Sequence, residues 1–588
     1  MRVKSFRYWI NMKTLLRTNS ILFFFVCTSA LFLSVFRGTV APADQSVPFE
    51  YRKVIPERPG QPPNLYFSDL THAPSIGWSA TDPQKGAAVT IWGNGFGTER
   101  GDSFVTVNGV KLDRDSDYAE WNGDSFDVFF LKRITFWLRS ECPVGVGSLS
   151  LTVGGKTSSE FPFSVIEGNL LFVDQDASSP GNGTHDAPWS SPNEAVKSLR
   201  PGDVLYFRQT EQAYGDKFFT GKQNFYLTRG NSTDGTENAP IALASYPGEI
   251  ATIDSVGNGV SQSMIGNFML ARDYWTISKF RLRATQTCLF LGAANGERGY
   301  GIRAVGNDCV GCQTFGTGTA PIATFASNIQ VLGNSSHGGI SNNKLDHALY
   351  ISGDASRNKG VELGWNYCYD NQYAIGPMIV VNHQGNRIPK GKSCKGHAIH
   401  DNFVDCQEFA GRGIGIYSMS WENAPGEPEP ETAKVYNNIV IGAGFMDSSS
   451  SAIYCLNGKA AFYHNTLIAC RGHGLTIGGE DVLSVSFQNN IVHMASGGKY
   501  IYLVSGSEDL LFSNNLYAGL DRHPDLDTSS TLGPTSLDDQ MIPSTTGNET
   551  ASAIPIADAR LDFWGARRPS NRNSDIGACQ HFRNTQAD

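Results

Sequence analysis

Asn437-Asn438-Ile439-Val440 returns in altered form as His464-Asn465-Thr466-Leu467, Asn489-Asn490-Ile491-Val492 and Asn514-Asn515-Leu516-Tyr517. The pattern reaches back through Asp401-Asn402-Phe403-Val404 and Trp365-Asn366-Tyr367-Cys368 to Asn334, with Asn343 competing for that rung. Counted from Asn334, successive asparagines lie 32, 36, 36, 27, 25 and 25 residues apart. An asparagine recurring at such a period marks a solenoid, in which one coil cannot bury its apolar side without its neighbours. Buried amides stacked along the axis satisfy one another's donors and acceptors. Between them lie short strands at 348–351, 413–417, 452–455 and 500–503. A two-residue period turns Leu349, Ile351, Ile414, Ile416, Ile453, Ile501 and Leu503 inward, and Tyr350, Tyr417, Tyr454 and Tyr502 outward. The asparagines are fully explained as structure and carry no functional meaning.

Composition agrees with a chain of strands and tight turns. Of 588 residues only 18% are charged while 63 are glycine, which excludes collagen, a coiled coil and a long disordered tail. The length predicts two to four domains. With 47 basic against 56 acidic residues the net charge is −9, so the overall charge does not resemble that of a nucleic-acid binder, and an anionic substrate needs a local cationic patch. Arg2, Lys4, Arg7, Lys13 and Arg17 precede the apolar run 21–36 and then Ala41-Pro42-Ala43, the layout of a secretory signal over 1–43. Arg37, directly after the apolar run, keeps an uncleaved anchor as the rival reading. Ten cysteines remain beyond Cys27, an even number that permits disulfides without fixing their pairing. Cys309-Val-Gly-Cys312 lacks the second pair a zinc site needs, so it reads as a disulfide or two packed thiols. The expected location is secreted, periplasmic or cell-surface.

Residues 71–166 alternate over 88–92, 103–107, 148–153 and 161–165, with Asn108-Gly109 as a hairpin signal, and predict a β-sandwich after a linker over 44–70. Gly93, Gly95, Phe96, Gly97 and the closing Phe163-Ser164-Val165 resemble immunoglobulin-like IPT/TIG domains, a likeness that implies a spacer or binding unit. From residue 167 the texture changes to strand, Gly/Asp turn, a short helix near 192–199 started by Ser191 and Pro192, and strand again. That order resembles the opening of right-handed parallel β-helix proteins of the pectate lyase superfamily, in which such a helix caps the coil. The expected fold is therefore all-β, a right-handed parallel β-helix over 167–588 preceded by an immunoglobulin-like β-sandwich.

The 32- and 36-residue rungs carry extra loops, and such loops commonly build a solenoid's binding surface. After the strand at 378–381 comes the basic stretch 382–392 with His383, Arg387, Lys390 and Lys392; after 413–417 come Trp421, Glu422 and an acidic proline run. His347 and Tyr350 belong to the preceding rung, and Arg412 opens the strand ending at Tyr417. The resemblance implies a polysaccharide, especially a uronate-containing one. β-Elimination needs a cation to neutralise the carboxylate, a base to remove the C5 proton and an acid for the departing oxygen. Arg387, Lys390, Lys392 and Arg412 are candidate clamps, His347 and His383 candidate bases, and Tyr350 and Tyr417 candidate acids. Trp421 offers a stacking face for a sugar, with Glu422 beside it. Calcium, common in the superfamily, is a candidate counter-charge with Asp370, Asp405 and Glu408 as available oxygens.

Bland readings stand beside these. His347 shares parity with inward residues, Tyr454 and Tyr502 sit on narrow rungs as an aromatic ladder, His397 and His400 are structural, and Arg567 and Arg568 pack or solvate. The expected function is an exported polysaccharide lyase acting as a monomer on an acidic polysaccharide, with no membrane contact beyond the possible anchor. A glycoside hydrolase or uronate epimerase on the same fold is the alternative, as is a non-catalytic surface glycan-binding protein or adhesin.

Overall fold

Three ladders of parallel strands run from Leu170 to Leu532 and enclose one continuous apolar core, so this part of the chain is a parallel β-helix. The structure is a computed structural model that describes residues 49–56, 60–178, 180–215, 225–255, 266–284, 287–294, 297–311, 322–324, 328–341, 347–351, 360–373, 377–382, 396–407, 411–417, 432–444, 449–505, 509–544, 546–550, 552–570 and 572–581. The expected signal or anchor over 1–43 lies outside them. Among the described residues no helix is long and apolar enough to cross a membrane.

Face one includes Val204–Phe207, Ile241–Ser245, Ile329–Leu332, Val361–Gly364 and Ala398–His400. Face two includes Asp308–Val310, Ser335–His337, Phe403–Asp405 and Ile439–Ile441. Face three includes Thr287–Leu291, Leu349–Ile351, Pro377–Asn382, Arg412–Tyr417 and Ile501–Leu503. Two long strands, Ser451–Tyr463 and His473–Gln488, pass from face three to face one, with register shifts between Leu456 and Lys459, because these rungs have no long insertion there. Leu349, Ile351, Ile414, Ile416, Ile453 and Ile501 join the main core as their parity requires, and Leu503 packs against it. At the start, helix Pro192–Ser198 is capped by Ser191 Oγ accepting from Glu194 N, and it places Ala195 and Val196 on the same core. The described thiols of Cys368, Cys406, Cys455 and Cys470 are buried and serve as small core groups.

The asparagine ladder forms the corner between faces one and two. Nδ2 of each member donates to Oδ1 of the next, from Asn334 through Asn366, Asn402, Asn438, Asn465 and Asn490 to Asn515, at 2.9–3.2 Å. Asn334 holds the rung that Asn343 contested. The ladder begins one rung earlier than the sequence suggests, at Asn307, which donates to Asn334 at 3.0 Å; its neighbours Gly306 and Asp308 do not match the later motif. Burial of Asn334 takes the N-glycosylation triplet Asn334-Ser335-Ser336 off the surface. Asn515 closes the series by donating to Asp527 at 2.9 Å. The residue before each ladder asparagine takes a left-handed conformation, from Gly306 (φ 60°) and Gly333 (φ 63°) to Trp365, Asp401, Asn437, His464, Asn489 and Asn514. Glycine is required at the first two, where an added Cβ would meet Trp92 at 2.6 Å and Phe67 at 2.4 Å.

Those two aromatics belong to the N-terminal β-sandwich. One sheet contains Asn64–Ser68, Lys85–Asn94, Lys132–Arg139 and Tyr118–Asp124, and the other is built on Phe104–Val107, Gly145–Val153 and Phe161–Ile166. Asn108 (φ 47°) and Gly109 (φ 84°) make the expected hairpin turn. The stretch read as a linker over 44–70 contains the first sandwich strand, and Tyr51 donates to Asp405 at 2.8 Å on face two. This correction has a plain cause: aromatic residues in that stretch find apolar partners on the coil. The sandwich is not a detached spacer either. Its core continues into Phe172, Val204, Tyr206, Ala242 and Ala244 of face one, and the Tyr206 hydroxyl bonds both N and O of Ala88 at a bulge.

Polar groups complete the junction. Lys279 pairs with Asp69, and Arg303 donates to the carbonyls of Asp69 and Ser68 at 2.6 and 2.7 Å. The chain continues through Gln330 and Glu362 to His400, which also bonds Asp401 at 2.8 Å. Burial pushes the His400 imidazole down, but hydrogen bonds and charges from Asp401 and Glu362 outweigh it and raise its pKa to about 9. The C-terminal segment folds back over the corner: Asn437 and Asn489 donate to the carbonyls of Leu561 and Ile554, and Arg568 is buried against the carbonyls of Asp575, Gly577 and Ala578.

Three outcomes follow from these contacts. Asn402→Ala strips acceptors from Asn366 and donors from Leu363 O and Asn438, and should cost about 3 kcal/mol in chemical denaturation. Lys434→Ala, at an exposed ion pair with Asp558, should cost under about 1 kcal/mol. Because His400 is raised in the folded state, its contribution is complete below its unfolded value near 6.5 and is lost as pH climbs through about 9. Melting temperature should therefore fall across that window in the wild type, and by less in His400→Gln.

Candidate functional site

Among the described residues faces one and two are largely occupied, and face three is the candidate ligand surface, half-buried at Tyr350 and Tyr502 and buried at Val380, Tyr454 and Thr476. The sandwich and its polar junction cover the early and middle rungs of face one. On face two, Phe67, Phe130, Met541, Phe563 and Trp564 pack on Tyr367, Phe403 and Ile439. None of the described sandwich, N-terminal or C-terminal segments packs in this way on the outward column of face three.

Strand register sets that column. Tyr350 pairs with Val380, Val380 with Gly415, Gly415 with Tyr454, Tyr454 with Thr476, and Thr476 with Tyr502. A second line follows the edge where face three begins. Arg412 is in register with Pro377 of the preceding rung, and Ser451 with His473 further along. The wide insertions 383–397 and 418–432 both leave from the opposite edge, since Asn382 and Tyr417 end neighbouring strands and are partners across one rung. Their anchoring points are thus adjacent, as the uneven spacing of the asparagines implies.

Arg412 is the centre of the described chemistry. Its guanidinium carbon lies 5.0 Å from the ring centroid of Tyr454, with Tyr417 and Tyr454 6.1 Å apart. Burial raises the Tyr417 phenol far above its ordinary value, and the nearby Arg412 charge only partly opposes this. Burial raises Tyr454 too. Both phenols therefore stay protonated at neutral pH and are suited to donate a proton, not to take one. Tyr454, read from sequence as a ladder residue, belongs with Arg412. The signal available was Gly415, which leaves the outward column without a side chain beside them.

His347 and Tyr350 form a separate pair, with rings stacked 5.5 Å apart at 15° and His347 buried. They stand two rungs before Arg412, a separation of about 10 Å at the usual strand spacing. His347 and Arg412, grouped from sequence as base and clamp, therefore stand on different rungs of the same face. His383, Arg387, Lys390, Lys392, Trp421 and Glu422 lie outside the described residues. Of the proposed calcium oxygens, Asp405 faces Tyr51 and Gln407 on face two, and Glu408 lies outside the described residues. Asp370 also follows a face-two strand, where its carbonyl accepts from Gly338.

Among the described residues the one grouping able to hold a metal is Asp127, Asp308 and His337, whose ligand atoms lie within 4.8 Å of one another. It bridges the sandwich and face two. Asp308 already accepts from Ser335 at 2.6 Å, Arg281 at 2.8 Å and His337 at 3.0 Å, and Asp127 from Tyr369 at 2.7 Å. With a guanidinium on one carboxylate, the cluster fits an interdomain clasp better than a cation site.

No family model matches this sequence, and no curated protein does. Among solved structures the chain is similar to one described as the complex structure of XylC with xylose, at 10% identity and a TM-score of 0.43 over 70% of this chain and 98% of that one. It is similar to a rhamnogalacturonan lyase at 16% identity and a TM-score of 0.40, over 69% and 95% of the two chains. A PL6 family polysaccharide lyase, Pedsa3628 from Pseudopedobacter saltans, follows at 12% identity and 0.27, over 59% and 96%. Likeness this distant assigns no residue role.

Proposed function

We propose that this chain is an exported polysaccharide lyase that cleaves a uronate-containing polysaccharide by β-elimination on face three. The supporting observation is Arg412 beside two protonated phenols, Tyr417 and Tyr454, on face three. Arg412 pairs with the substrate carboxylate and spreads the negative charge that develops when the C5 proton leaves. Tyr417 donates its proton to the departing glycosidic oxygen. His383 is the base we favour over His347, because it directly follows Asn382, the partner of Tyr417 across one rung. Calcium remains a candidate counter-charge for the carboxylate. An N-terminal signal and an IPT/TIG-like role for the sandwich belong to the same reading.

Leu349–Ile351, Pro377–Asn382, Arg412–Tyr417 and Ile501–Leu503 contain no Asp or Glu, and hydrolysis needs two carboxylates flanking the bond, so elimination is preferred around Arg412. Incubation of the mature protein with a panel of uronate polysaccharides, with and without chelator, should raise ultraviolet absorbance from unsaturated ends. New reducing ends without that absorbance would point to a hydrolase, and binding with neither product to an adhesin. Arg412→Ala and His383→Ala should each lower kcat about 10²-fold or more, and Tyr417→Phe about 10²-fold, with melting temperature preserved. Lys434→Ala, on face one, should keep full activity.

A further inference from the structure

The arrangement at Arg412 is not single on face three. Beyond it, His473 opens the strand two rungs on, and its ring lies 4.6 Å from that of Tyr502. Lys499 Nζ stands 5.1 Å from the Tyr502 centroid. In both places a basic residue at the first position of a face-three strand meets the outward tyrosine of the following rung: Arg412 meets Tyr454, and His473 meets Tyr502. The backbone N of Lys499 donates to His473 Nδ1 at 3.0 Å, so the neutral imidazole carries its proton on Nε2 and is a donor there.

The two places differ in access. Tyr454 is 5% exposed, whereas Tyr502 is half-buried, Lys499 is exposed, and Val504, the next outward residue after Tyr502, is 49% exposed. An open ring with an apolar neighbour and an overhanging ammonium serves an acidic glycan twice: the ring stacks on the apolar face of a sugar, and the cation meets its carboxylate. A surface lysine over a tyrosine is commonplace by itself. Here it recurs in line with Arg412 and Tyr454, two rungs or about 10 Å further along the same column.

We propose that His473, Lys499 and Tyr502 form a second contact station for the acidic glycan, so that face three holds several consecutive sugars and the chain is cut internally. The uronate substrate of this station rests on the function proposed above. With His347 and Tyr350 at the other end, the column from Tyr350 to Tyr502 covers five rung steps, about 24 Å, half-buried at its two ends and buried at Val380, Tyr454 and Thr476 between them. A disaccharide held at Arg412 does not reach Tyr502, while a longer chain does.

Binding of size-fractionated oligouronides from pectate and alginate to the full mature chain tests this. Affinity should rise with length and then level off. Lys499→Ala and Tyr502→Ala should each weaken long oligomers about threefold while disaccharide binding stays unchanged, and Tyr502→Phe should restore the long-chain affinity. Lys499→Ala keeps the test sound if Tyr502→Ala unfolds, since Lys499 is exposed. On polymer, viscosity should drop well before unsaturated ends accumulate. Length-independent affinity, or equal losses for short and long oligomers, would overturn the station even if unsaturated products form, leaving the lyase reading intact. Long-chain binding that depends on Lys499 and Tyr502 without any unsaturated product would uphold the station and remove the lyase.

Discussion

A buried amide must find partners for every N–H and C=O, and in this coil it finds them in the next asparagine. From Asn307 to Asn515 each side chain bridges to the following rung and also holds backbone groups at the corner between faces one and two. Because an unpaired amide in that position is costly, the rungs are locked in register. Register in turn aligns Tyr350, Gly415, Tyr454 and Tyr502 on one outer column, and puts Arg412 in line with the rungs on either side. The site is thus a by-product of a structural ladder that makes no contact with it.

The same corner decides which surface remains for a ligand. Left-handed residues ahead of each asparagine form a shallow seam, and the molecule fills it. Glycine at 306 and 333 admits Trp92 and Phe67 of the sandwich, while Asn437 and Asn489 turn their amides to the C-terminal segment. Sandwich, coil and tail therefore share apolar clusters, and burial across them favours one joined body over an appended module. The polar run from Lys279 and Arg303 to His400 lies inside that joint, with Lys279 and His400 paired to carboxylates and Arg303 met by two backbone carbonyls and Gln330.

On face three the chemistry is cationic and phenolic. Arg412 lies over an aromatic ring and is partly withdrawn from water, where a carboxylate partner gains more than it would at an open surface. Phenols held protonated by burial supply proton donors without competing for the guanidinium as anions. That combination suits a negatively charged sugar whose bond breaks by proton removal and proton delivery at neighbouring atoms.

The sequence by itself determined the coil, its inward and outward residues and the hairpin at Asn108-Gly109, because these follow from local rules: a fixed amide per rung, two-residue alternation, and glycine where φ is positive. It also offered Arg412 and Tyr417 as candidates, since an arginine opening a glycine-rich strand has no apolar role to play. It grouped His347 with Arg412 without fixing that two rungs separate them, because rung membership depends on where each insertion leaves the coil. It missed Asn307, whose neighbours break the motif, and gave Tyr454 and Tyr502 no role beyond stacking. Only the tertiary structure decided that the 44–70 stretch is docked, that two faces are occupied, and that basic residues cross one rung to reach those tyrosines. Each of these depends on contacts between residues tens to hundreds apart in the chain, which local periodicity does not encode.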